Sequence, residues 1–257
     1  MSERNPTGEG SAEYATSFGV SGVDEYDMLL ASLGRTEEED QRVSVHEAGH
    51  AVAARLLGHP LGGATIDPGP GYEGRVWGAA HAEAFAEGRE TDASDVRDAI
   101  APMMPEPGED ISSVSDVFAN IYGHCIELAA GRAAERMLLD DHHSQSAGDD
   151  LRQMQDLALL ICKSDKAIET FITHCGVAAR DLLMPYGDAV MVLSTVLRIR
   201  RTLDSAEIDK VISDVEAWKA LAIEHRRRAE WRKREVMAIG FERDHLEFLG
   251  FPPLAQD

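Results

Sequence analysis

The residues His46-Glu47-Ala48-Gly49-His50 stand in a run whose apolar members, Val45, Ala48, Val52 and Leu56, recur at three- and four-residue steps. No other feature of the chain limits its folding so strongly, because that period demands an α-helix and a helix projects residues four apart from one side. Thr36-Glu37-Glu38-Glu39 has the form of a capping box and Gly58 that of a helix stop, so the helix is expected over 37–57. One edge of it packs, and the neighbouring edge carries His46, Glu47 and His50.

H-E-x-x-H brings two imidazoles to one ion, and zinc suits imidazole and carboxylate ligands. Glu47 then lies close enough to a water on the ion to serve as general base, while the ion lowers that water's pKa toward about 7. The chemistry implied is peptide-bond hydrolysis. The plainer alternative is a solvated helix face on which the two histidines and the glutamate exchange side-chain hydrogen bonds. A catalytic zinc needs a third protein ligand, and Glu135, His142, His143, Asp149 and Asp150 all offer donors. Periodicity does not choose among them, since an Asp pair at a helix start serves equally well as cap and dipole partner.

Around this helix the pattern is mainly α with a small β element. Gly63 to Gly78 mixes Thr65, Ile66, Val76 and Trp77 with turn residues, which predicts two short strands about a Pro-Gly loop. Helices are expected near 92–100, over 113–139 and 149–162, and from Lys166 to about Ile239. Pro102, Pro105 and Pro107 mark a loop. Residues 1–35 read as a flexible leader with a short apolar patch from Met28 to Leu33, and 213–257 as a helical extension bearing a basic cluster.

The 46 acidic and 25 basic residues give a formal charge of −21, which would repel a phosphate backbone and argues against a nucleic-acid partner. Arg226, Arg227, Arg228, Arg232, Lys233 and Arg234 form a local exception, expected to meet acidic neighbours in the fold or in an oligomer. No uninterrupted apolar stretch reaches 18 residues and no signal-peptide layout opens the chain, so the expectation is a cytoplasmic protein without membrane contact. Cys125, Cys162 and Cys175 show no C-x-x-C spacing and are expected to be reduced. His81, His124 and His174 stand apart from one another and read as surface or core residues.

Taken together, EEDQRVSVHEAGHAVAARLLG, ATIDPGPGYEGRV (Ala64 to Val76), AAGRAAERML (Ala129 to Leu138) and SAGDDL (Ser146 to Leu151) follow one another as in a known family. The chain resembles the peptidase domain of the FtsH-like, membrane-anchored ATP-dependent zinc proteases over roughly residues 36–212. The resemblance implies zinc ligands at His46, His50 and Asp150 and a catalytic glutamate at Glu47. It places Asp149 on a non-ligand position, Glu135 on a structural helix, and a substrate-edge strand near Ala64 to Asp67. This sequence has neither the G-x-x-x-x-G-K-[ST] phosphate loop nor the membrane span of that family.

The expectation is therefore a zinc endopeptidase acting without ATP on unfolded or flexible polypeptides, as a homo-oligomer or with a separate unfoldase. The competing expectation is a non-cleaving adaptor that keeps the fold and a structural zinc. Such a module has no use for Glu47 as a base.

Overall fold

The computed structural model describes residues 24–79, 114–139 and 148–251. The sequence expectations for residues 1–23, for 92–100 with its triple-proline loop, and for His81, His142 and His143 lie outside the described residues. Within the span read as a leader, Glu25–Leu33 form helix α1. The reason is local: Asp24 and Asp27 close a reciprocal capping box, and Gly34, at φ +65°, supplies the left-handed stop. This helix belongs to a unit, Met1–Glu37, separate from the compact unit Glu38–Asp257.

Helix α2, Glu37–Leu57, is the metal-motif helix, and it is buried more completely than one apolar edge would require. Every residue from Val43 to Ala54 is buried, the polar side chains included. Small residues make this possible. A Cβ on Gly49 would lie 2.6 Å from the Ala134 Cβ and 2.7 Å from the Ala130 carbonyl oxygen, so α2 and α3 (Val114–Leu138) approach backbone to backbone. Gly58, at φ +76°, ends α2: its N–H donates to Arg55 O at 3.2 Å, and the N–H of His59 donates to Ala54 O at 2.8 Å.

Strands β1 (Leu61–Thr65) and β2 (Arg75–Gly78) are the two short strands expected about the Pro-Gly loop, and they pair antiparallel. A third strand, β3 (Thr202–Asp204), pairs with the other flank of β1, giving the order β2-β1-β3. The edge strand expected near Ala64 is thus an inner strand, with Ala64 opposite both Val76 and Leu203. Three residues carry too little periodicity to announce β3 in the sequence.

Helix α4 is Gly148–Ala158, shorter than expected because the chain turns through Leu159–Cys162, where Leu160 and Ile161 donate three residues back. Helix α5 (Asp165–Leu183) follows, capped by Ser164, then a 3-10 turn (Met184–Tyr186), α6 (Gly187–Arg200) and α7 (Ser205–Phe248). The main packing is α3 on α5 and α4, and α6 on α7. Ile121, Cys125, Leu157, Cys175, Leu183, Leu193, Leu197, Leu203 and Ile208 lie in one buried cluster with α2.

The stretch Asp165–Arg200 is long and apolar enough to cross a membrane, a length and composition the sequence reading did not expect. Here it is two helices meeting at Pro185, and Cys175, Ala179, Leu183, Leu193 and Leu197 on it face the core. The expected boundary at residue 213 falls inside α7, which runs unbroken for 44 residues. Arg227 and Arg228 of the basic cluster both pair with Glu224 one turn back on the same helix.

Candidate metal centre

His46 and His50 lie one turn apart on α2, their rings in an edge-to-face arrangement with centroids 4.6 Å apart. Each Nδ1 meets an acceptor on α3. For His46 it is Oε1 of the fully buried Glu135, at 2.5 Å; for His50 it is the backbone carbonyl of Glu127, at 2.7 Å. A carbonyl can only accept, so the proton of the neutral His50 ring resides on Nδ1 and the Nε2 lone pair is left for another group. The carboxylate of Glu135 imposes the same tautomer on His46.

The two Nε2 atoms lie 2.9 Å apart. Asp150, in the first turn of α4, brings Oδ2 within 3.0 Å of His46 Nε2 and 3.4 Å of His50 Nε2. Three acceptors at such separations repel one another unless a proton or a metal cation stands among them. The shifts of the site's own groups express this. Burial pushes the His46 imidazole down, yet hydrogen bonds to Asp150 and Glu135 and the surrounding carboxylates outweigh it and raise its pKa to about 10. Burial works likewise against His50, and Asp150 raises it. Burial would raise Asp150, but the charge of His50 and hydrogen bonds to both imidazoles hold it well below the usual carboxylate range.

The donor set fits a metal: two imidazole nitrogens and one carboxylate oxygen are ligands of the kind zinc takes, with the second-shell acceptors that orient histidine ligands. The backbone fits it as well. A Cβ on Gly131 would lie 2.5 Å from His50 Nε2 and 2.6 Å from His46 Nε2, so that glycine of α3 is the floor on which both rings rest. His46, His50 and Asp150 are a group able to hold a metal ion.

Glu47 is buried beside them, and burial lifts its carboxyl to about 7 against the pull of His46 and His50. Loop residue Gly74 borders it so closely that a Cβ there would lie 2.8 Å from Glu47 Oε1. Among the other residues considered for the third ligand, Asp149 turns to Arg152 and Gln153. Glu135 does not join the Nε2 cluster but sits behind His46. That role, and those of Gly131 and the Glu127 carbonyl, escaped the sequence reading. The available signal was a carboxylate one turn after Gly131 in a stretch rich in small residues.

No family model matches the chain, and no curated protein matches it.

Proposed function

We propose that the chain is a zinc-dependent endopeptidase acting on unfolded or flexible polypeptides, with His46, His50 and Asp150 as ligands and Glu47 as general base. The observation that carries this reading is the convergence of His46 Nε2, His50 Nε2 and Asp150 Oδ2 within 3.4 Å, where α2 also buries Glu47 beside them. A purely structural site needs four protein ligands to close it. Among the described residues this group offers three.

When bound, zinc supplies Lewis acidity, which acidifies water and polarises a peptide carbonyl. The chain's own residues do the rest. Glu135 and the Glu127 carbonyl hold the two imidazoles in the ligating tautomer. Glu47 takes the proton of the attacking water on a carboxylate oxygen and passes it to the leaving amide nitrogen. Bond cleavage itself requires no ATP. The resemblance of the metal helix, of AAGRAAERML and of SAGDDL to FtsH-like peptidases supports the same assignment.

The test is hydrolysis of a fluorescently quenched, unfolded protein by the zinc-loaded chain without ATP, beside Glu47→Gln. The wild type should cleave, and the variant should retain zinc but lose on the order of 10²-fold or more in rate. An inactive wild type with zinc confirmed bound would instead favour a non-cleaving, zinc-stabilised binding module.

A further inference from the structure

Glu127 touches two groups of histidines at once. Its backbone carbonyl accepts from His50, while its carboxylate Oε2 lies 2.5 Å from Nδ1 of His59 and 3.8 Å from Nδ1 of His124. The His59 and His124 rings lie side by side, centroids 4.5 Å apart and tilted by 32°. Ligating atoms of the three residues lie within 4.8 Å of one another.

The backbone sets up this convergence. His124 and Glu127, three apart on α3, share one face of that helix. His59 is fixed just past the end of α2 by the paired hydrogen bonds at Gly58. Gly123 completes the arrangement: a Cβ there would lie 2.9 Å from His59 Nε2, so the ring rests against the backbone of α3. The three side chains are 19%, 32% and 22% exposed for His59, His124 and Glu127, which leaves them open to an ion arriving from solvent.

An ordinary ion pair accounts for His59 and Glu127 but not for His124, whose Nδ1 is too far from Oε2 for a hydrogen bond. An ion accounts for all three. Zinc bonds of about 2.0–2.2 Å in tetrahedral array separate neighbouring ligand atoms by about 3.3 Å, a value that the observed 2.5 and 3.8 Å straddle. Reaching it takes a change of about 0.8 Å at His59 and about 0.5 Å at His124, within the freedom of partly exposed side chains.

We propose that His59, His124 and Glu127 form a second metal site, for a divalent ion of the zinc and copper type, separate from the His46 centre and joined to it through Glu127. The proposal does not depend on peptidase activity, and metal counting tests it directly. A His142→Ala/His143→Ala parent, which removes the tandem histidines of the DDHH segment, is saturated with Zn²⁺, desalted and assayed by mass spectrometry and calorimetry. It is compared with the same chain carrying His59→Asn/His124→Asn, and with one carrying Glu127→Gln.

The double asparagine variant should bind about one equivalent fewer than its parent. Glu127→Gln, which keeps the carbonyl to His50, should weaken one equivalent by about tenfold or more. In a His46→Ala/His50→Ala background, Cu²⁺ should show the spin-resonance signature of imidazole nitrogen, and lose it with His59→Asn/His124→Asn. Equal stoichiometry in parent and double variant would overturn the proposal, whatever happens at the His46 centre. If the double variant fails to fold, unchanged Zn²⁺ affinity in Glu127→Gln overturns it instead.

Discussion

Nδ1 of His46 lies 2.5 Å from Oε1 of Glu135, a carboxylate with no accessible surface on the facing helix. The pair joins α2 to α3 and also holds the His46 proton on the nitrogen away from the ligand cluster. Orientation and basicity of the ligand both depend on it. Glu135→Gln should therefore weaken zinc binding by about 10- to 100-fold while the helices persist. Competition against a fluorescent chelator checks this, and affinity within about twofold of wild type would contradict it.

Gly131 has a sharper prediction because its missing side chain is the space the imidazoles occupy. Gly131→Ala would place a methyl group 2.6 Å or less from both Nε2 atoms, directly in the way of a shared ion. Zinc stoichiometry at the His46 centre should fall to near zero. The helical signal should survive, since alanine favours a helix by about 1 kcal/mol over glycine and offsets part of the overpacking.

At Gly74 the same argument separates catalysis from metal binding. A methyl group there would meet the Glu47 Cγ and Oε1 at 2.8 Å and the Val43 Cγ1 at 2.7 Å, atoms that belong to neither His46, His50 nor Asp150. Gly74→Ala should keep zinc and lose kcat, by about tenfold or more for a displaced base. Loss of zinc together with activity would show that the loop instead supports the whole site.

Arg201 carries the backbone strain outside glycine among the described residues, with φ at 67° at the end of α6. Its guanidinium donates to the buried Asp40 at 2.8 Å and to Asp67 at 2.9 Å, tying α6 to α2 and to the loop after β1. Arg201→Gly should cost about 3 kcal/mol by removing the guanidinium from the buried Asp40 and from Asp67. Arg201→Ala should cost about 1 kcal/mol more, because it loses the same contacts and keeps the strain that glycine relieves. Urea unfolding measures both, and identical midpoints would rule out the strain component.

Above pH 6 the chelator-treated centre should lose stability as pH rises. His46, raised to about 10, contributes stability that is complete below its ordinary 6.5 and is lost as pH climbs through 10. Glu47, raised from 4.5 to about 7, is harder to ionise folded than unfolded and so also removes stability as pH rises across that interval. Asp150, which is depressed, acts at the acid end, where its contribution fades as pH falls below its ordinary 3.8. Chelator-treated protein should thus melt at progressively lower temperature from pH 6 to pH 10. Zinc, by replacing the shared proton, should flatten that decline, which differential scanning with and without zinc will show.

The helix carrying His46, Glu47 and His50, its span from Glu37 to Leu57 and the mainly α character were legible from the sequence alone, because 3.6-residue periodicity and a glycine stop are local signals. So was the β1 and β2 pair, framed by proline and glycine. The residues of the sequence left five candidates for the third ligand, and only a resemblance singled out Asp150. Its approach to His46 Nε2 crosses 104 residues of chain, a separation on which periodicity carries no information. The tertiary structure also made β1 an inner strand, set Glu135 behind His46, and gathered His59 and Glu127 about His124, which the sequence reading took as isolated. Each of these arises where one backbone meets another, at Gly49, Gly123 or Gly131 or through β3, and contacts between distant segments are decided by packing rather than by local pattern.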